Sequence, residues 1–88
     1  MSPEADEIRV WLVERGYNNR DLIVLKYATP DGERMFRKEV ASQALETVTA
    51  AKDVSPKNLG PIDEAGVQER YAAEATRMAE KHDPDDPV

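Results

Sequence analysis

The sequence contains no cysteine and a single histidine. The first absence excludes a disulfide framework and any thiolate-based metal site. No apolar stretch reaches the ~18 residues that a membrane-spanning helix needs. No glycine-rich phosphate loop is present, and the four glycines lie singly. The segment MSPEADEIRV has neither the basic region nor the apolar core of a secretory leader, so a cytoplasmic placement is the expectation.

Catalytic groups are equally scarce. Ser2, Ser42 and Ser55 have no histidine near them in sequence, and Ser42 suits a helix start better than a nucleophile. His82 sits in a polar stretch beside Asp83 and fits a solvated cation at a helix end. Asp83, Asp85 and Asp86 lack the glycine and bidentate glutamate of a calcium loop. Glu14, Glu39 and Arg37 are placed by strand alternation at one end of one sheet face, where an ion-pair network is the expected outcome. The reading is therefore a protein that is not an enzyme, with no catalytic, cofactor or metal residue.

What is there fits one small domain. Eighty-eight residues with five aromatics leave little core to spare, which favours burying more surface against a partner. Net charge is −6 but unevenly placed. Residues 1–40 hold seven Lys+Arg against eight Asp+Glu, and residues 41–88 hold five against ten. The acid-rich make-up, with more Arg than Lys and a DPDDP tail, matches the composition of salt-adapted proteins. The near-balance of the first part keeps a nucleic-acid partner open.

The chain is organised around Asp21 to Val40, where two β-rich runs flank the turn signal Thr29-Pro30-Asp31-Gly32. A three-residue loop over Pro30-Asp31-Gly32 is expected, with Thr29 opposite Glu33. Asn18-Asn19 predicts a two-residue turn that sets Tyr17 opposite Arg20. The strands are then 7–15, 21–28 and 33–40. Ala44, Leu45, Val48 and Ala51 recur at helical spacing and predict a first helix over 41–53. VSPKNLGPI reads as a connector. A second helix follows from Asp63, a candidate N-cap, to Lys81, with Val67, Tyr71, Ala75 and Met78 as its inner stripe. The predicted fold is α+β: a three-stranded antiparallel meander followed by two helices packed mainly on one sheet face. Residues 1–6 are expected as a flexible arm, 7–81 as the domain and 82–88 as a disordered acidic tail.

That register sorts the side chains into two faces. One carries Ile8, Val10, Leu12, Ile23, Leu25, Tyr27 and Met35 and is the natural seat for the helices. The other carries Arg9, Trp11, Arg15, Lys26, Arg34, Phe36 and Lys38, together with small aliphatic residues. It has five cations, no acid, and the only tryptophan and phenylalanine. Cations for phosphates and rings for stacking are what a nucleic-acid surface needs. Three strands then a helix, with basic and aromatic residues on the open face, is similar to the integrase arm-binding domains. That resemblance implies a sheet that reads the DNA major groove. Cover by the second helix, with cation stems around its edge, is one alternative. Pairing of two copies through this face or through a strand edge is another, and so is another protein.

Overall fold

The computed structural model describes residues 7–17, 22–41 and 48–88. Five strands and one helix follow in the order β1 (Ile8–Tyr17), β2 (Leu22–Ala28), β3 (Arg34–Ala41), β4 (Ala51–Val54), a single 3-10 turn at Pro56–Asn58, β5 (Gly60–Pro61) and α1 (Ala65–Lys81). All neighbours are antiparallel, in the sheet order β4-β1-β2-β3-β5. The α+β class stands. Three strands and two helices do not, because the described residues hold five strands and only one α-helix.

The first correction lies between β3 and β4. Residues 51–54, expected as the end of a helix and the first residue of the connector, pair with Ile8 to Trp11 as an edge strand. The Ala-Ala-Lys composition favours helix, but the unpaired edge of β1 offers backbone partners and Ala51 and Val54 bury there, so tertiary context wins. Of the rest of the expected helix, Ala41 ends β3 and Val48 to Ala50 are not helical, while 42–47, with Ser42, lie outside the described residues.

The second correction is register. Thr29 N–H bonds to the Arg34 carbonyl at 3.1 Å, so the loop after β2 has four residues, Pro30 to Glu33, and not three. The Gly32 N–H closes a turn on the Thr29 carbonyl at 2.8 Å. The Asp31 carboxylate then accepts from the Thr29 hydroxyl at 2.5 Å and the Glu33 N–H at 2.9 Å, which draws Glu33 into the loop. Tyr27 consequently faces Phe36 and Ala28 faces Met35. One residue of slip sends every β3 side chain to the opposite face.

β1 departs as well. Tyr17 pairs with Ile23, not Arg20, and a bulge at Val13 shifts the register between Leu12 and Glu14. The Asn18-Asn19 turn lies outside the described residues.

The sheet is coiled. Laid flat, β4 and β5 would be about 19 Å apart, four strand spacings of ~4.8 Å. The five linking residues include a 3-10 turn that rises only ~2 Å per residue, so they fall short of that span. Lys52 of β4 reaches over the Phe36 ring of β3, 5.9 Å from its centre, across the two intervening strands. The concave inner face carries Val10, Leu12, Ile23, Leu25, Tyr27 and Val54, all buried, with Phe36 and Val40 half-buried beside them. Val48 and Leu59 pack against the same cluster.

α1 covers the other face. Tyr71 is 4% exposed and packs with Ala28 and Ile62, and Val13, Met35 and Val67 adjoin them. Ala75 and Met78 belong to the cluster that contains Trp11. The helix ends at Lys81 as expected but begins at Ala65 with Glu64, not Asp63, at its N-cap; of the expected inner stripe Tyr71, Ala75 and Met78 are buried and Val67 is half-buried. It sits, however, on the side of Trp11 and Ala28, the reverse of the expected seat. Gly32 explains part of that choice. Its φ is +72°, and an added Cβ would lie 2.1 Å from the Gln68 carbonyl oxygen. The hairpin tip therefore rests directly on the helix, which only glycine permits here.

Residues 82–88, expected as a disordered tail, instead line the outer side of β4. Ala50 and Ala51 N–H groups donate to the Asp86 and Pro84 carbonyls at 2.8 and 3.1 Å. Val88 N–H donates to the Val48 carbonyl at 2.8 Å. An exposed strand edge is thereby closed.

Candidate functional site

The seven residues expected to form one basic, aromatic face divide between two. Trp11 shares a face with Ala28 and Met35, and Phe36 shares the other with Tyr27 and Leu12. The two rings therefore point opposite ways. Trp11 is 7% exposed, sealed on the helix side. Arg9 and Lys26 stay with Trp11. Alternation sends Arg34 and Lys38 with Phe36, and the β1 bulge brings Arg15 to that side opposite Leu25. The continuous surface that the expected register implied does not exist.

Charge sorts just as sharply. On the helix face each cation of the sheet has a carboxylate. Arg9 grips Asp53 with two hydrogen bonds at 2.9 and 3.2 Å. Lys26 lies 3.3 Å from Glu14, and Arg37 lies 3.2 Å from Glu39. Hydrogen bonding to Asp53, with its charge, raises the Arg9 pKa, and the same contact lowers that of Asp53. These pairs are exposed and contribute little to stability.

The inner face is different. It carries Arg15, Arg34, Lys38 and Lys52 on its strands and no acidic residue on any of them. Arg15 donates to the Val88 carbonyl at 3.0 Å. Arg34 adds to the field that lowers the Asp31 carboxyl, after the hydrogen bonds from Thr29 and Glu33. Among the described residues no carboxylate lies within ion-pair distance of Lys38 or Lys52. Partial burial, and then the neighbouring Lys38, lower the Lys52 pKa. Lys52 escaped the sequence reading because it was placed in a helix. Ala51 and Val54 are three residues apart, a spacing that suits one face of a helix, so nothing local pointed to a strand.

A groove of 420 Å³ opens beside the start of α1, floored by Met35, Ile62, Val67 and Tyr71. Both of its cations meet one carboxylate. Glu14 accepts from the Tyr71 hydroxyl at 3.2 Å and lies 3.3 Å from Lys26 and 3.7 Å from Arg70. Such a carboxylate ties the helix to the sheet and engages both cations of the groove, Lys26 and Arg70, while Asp63 and Glu64 add two further acids to its lining. No three His, Asp or Glu side chains among the described residues are grouped to hold a metal ion. No helix among them is long and apolar enough to cross a membrane.

Fold and site together define a small α+β domain: a coiled antiparallel sheet with one covering helix, paired charges on the helix face, and on the inner face a buried apolar centre with Lys38 and Lys52 lacking an ion-pair partner among the described residues. The chain belongs to the Family of unknown function (DUF7967), whose model matches residues 4–88. No curated protein and no solved structure matches it.

Proposed function

We propose that this protein is a small non-enzymatic binding module that takes a nucleic acid along the inner face of its sheet. Arg15, Arg34, Lys38 and Lys52 would contact phosphates, and the half-buried Phe36 would meet a sugar or base edge. One observation carries the reading. The helix face neutralises each sheet cation with a carboxylate, whereas the inner face keeps four cations and no sheet acid in a chain of net charge −6. Lys38 and Lys52 in particular repel one another with no carboxylate at ion-pair distance among the described residues, and an arriving anion would relieve that repulsion. The acidic surface elsewhere repels phosphate, so only one orientation of approach is favourable.

The test is a titration of the full chain with single-stranded and duplex oligonucleotides at low salt, read through backbone amide shifts. Shifts confined to β3, β4 and the end of β1 are expected, with affinity falling steeply as salt rises. Lys38→Glu should weaken binding on the order of tenfold or more, and Lys26→Gln, on the helix face, should not. Absence of any shift, or a footprint centred on Lys26 and Arg9, overturns the reading.

A second reading, a homodimer, is favoured by a separate feature. β5 covers β3 only at Arg34 and Met35, so Phe36 to Ala41 have no outer strand partner among the described residues. Association through that edge would give a sedimentation mass near twice 9.9 kDa. A concentration-independent monomer rules it out.

A further inference from the structure

We propose that Lys38 and Lys52, framing the Phe36 ring, form a discrete subsite for a phosphate monoester, the terminal phosphate of a nucleic-acid strand. This rests on the reading above and narrows it from a charged face to one pair of donors.

The geometry comes from three elements of local structure. Phe36 and Lys38 are two residues apart on β3, so their side chains rise side by side on the inner face. Lys52 projects from β4 at the far edge, and the coil of the sheet brings its ammonium to 5.9 Å from the Phe36 ring centre. The ring supports the Lys52 ammonium by a cation–π contact and holds its stem in place. The Lys52 ammonium thus lies over the aromatic ring, with the Lys38 side chain from β3 as its charged neighbour. Six donor N–H bonds and two positive charges converge there, and no carboxylate among the described residues answers them.

The charge count selects the ligand class. A diester phosphate carries one negative charge, but a monoester carries about −1.5 to −2 near neutral pH and presents three acceptor oxygens. A monoester can therefore accept from both ammonium groups at once and neutralise both. A carboxylate offers one charge and two oxygens, and leaves one lysine uncompensated. Since Lys38 and the partial burial of Lys52 already disfavour two protonated amines side by side, an incoming dianion is rewarded by relief of that repulsion.

The experiment uses the full chain, inorganic phosphate, and two oligonucleotides of one sequence with and without a terminal phosphate. Wild type should bind inorganic phosphate saturably, with shifts centred on Phe36, Lys38 and Lys52. The terminal phosphate should raise oligonucleotide affinity on the order of tenfold. Lys52→Met keeps the aliphatic cover over Phe36 and removes a partly buried charge, so it should fold; it and Lys38→Met should each abolish that tenfold preference. Lys81→Met, at the end of α1, should leave it intact. Equal binding of both oligonucleotides by wild type overturns the subsite and leaves the nucleic-acid reading standing. Saturable phosphate binding without oligonucleotide binding supports the subsite, with a small phosphate compound as the source, and overturns the nucleic-acid reading. Failure of phosphate and both oligonucleotides overturns the two together.

Discussion

Trp11 and Phe36 show how much depends on which way one ring points. Both sit mid-strand in similar sequence surroundings, yet one is packed under a helix and the other lies half-open beneath a lysine. Trp11→Ala should therefore cost about 3–5 kcal/mol in urea denaturation, the usual range for emptying a buried aromatic site. Phe36→Ala should cost clearly less and act mainly on ligand binding. Asp31 offers a test by pH. Hydrogen bonds from Thr29 and from the Glu33 backbone lower its pKa below the ordinary value of 3.8. A carboxylate whose folded pKa is depressed contributes stability above its unfolded pKa, and that contribution is lost as pH falls through the folded value. The denaturation midpoint should drop between pH 5 and acid solution at about pH 2–3, and Asp31→Asn should flatten that drop. Asp53, held low by Arg9, works in the same direction, so a double variant should flatten it further.

At the scale of elements, the β2–β3 hairpin settles the arrangement, through one residue of loop length. Tyr27 and Phe36 have ring centres 6.0 Å apart, so their protons should show a direct nuclear Overhauser contact. A contact between Trp11 and Phe36 in its place would mean that the three-residue loop is the true one. Deleting Glu33 would leave Pro30-Asp31-Gly32 as a three-residue loop with Thr29 still opposite Arg34, so the Tyr27–Phe36 contact should persist, and stability should fall through loss of the Glu33 bonds to Asp31 and Ile62. Much of this level was readable beforehand. The three long strands and α1 follow from alternation, turn residues and a stripe of Val67, Tyr71, Ala75 and Met78, whereas the expected connector proves to hold the end of β4 and all of β5. What could not be read has definite causes. The Asp31 side chain captures two donors and lengthens a loop whose residues suit three or four positions alike. The bulge at Val13 leaves no mark in an unbroken β-rich run. β4 and β5 are short, four and two residues, and carry alanine and proline, so no strand propensity announces them. Of the candidate site, Arg15, Arg34, Phe36 and Lys38 were identified by type but grouped with the wrong companions, and Lys52 was missed because pairing across the sheet, not local sequence, puts it there.

For the molecule as a whole, closure of the sheet edges is the main economy of a chain this small. The last residues shield β4, and β5 shields only the start of β3. Truncation after Asp83 removes three backbone hydrogen bonds to residues 48–51 and the acceptor of Arg15. At ~0.5–1.5 kcal/mol each, that loss should lower stability by about 2–4 kcal/mol and promote self-association through the bared strand, both measurable by thermal melting and sedimentation. The contact between Gly32 and α1 carries a different consequence. A hairpin tip normally frays by itself and trades its amide protons with solvent quickly. Here the turn cannot lift without parting from Gln68 and Ala72, so the amides of Gly32 and of the helix around Ala72 should exchange deuterium at one common rate, set by a single shared opening.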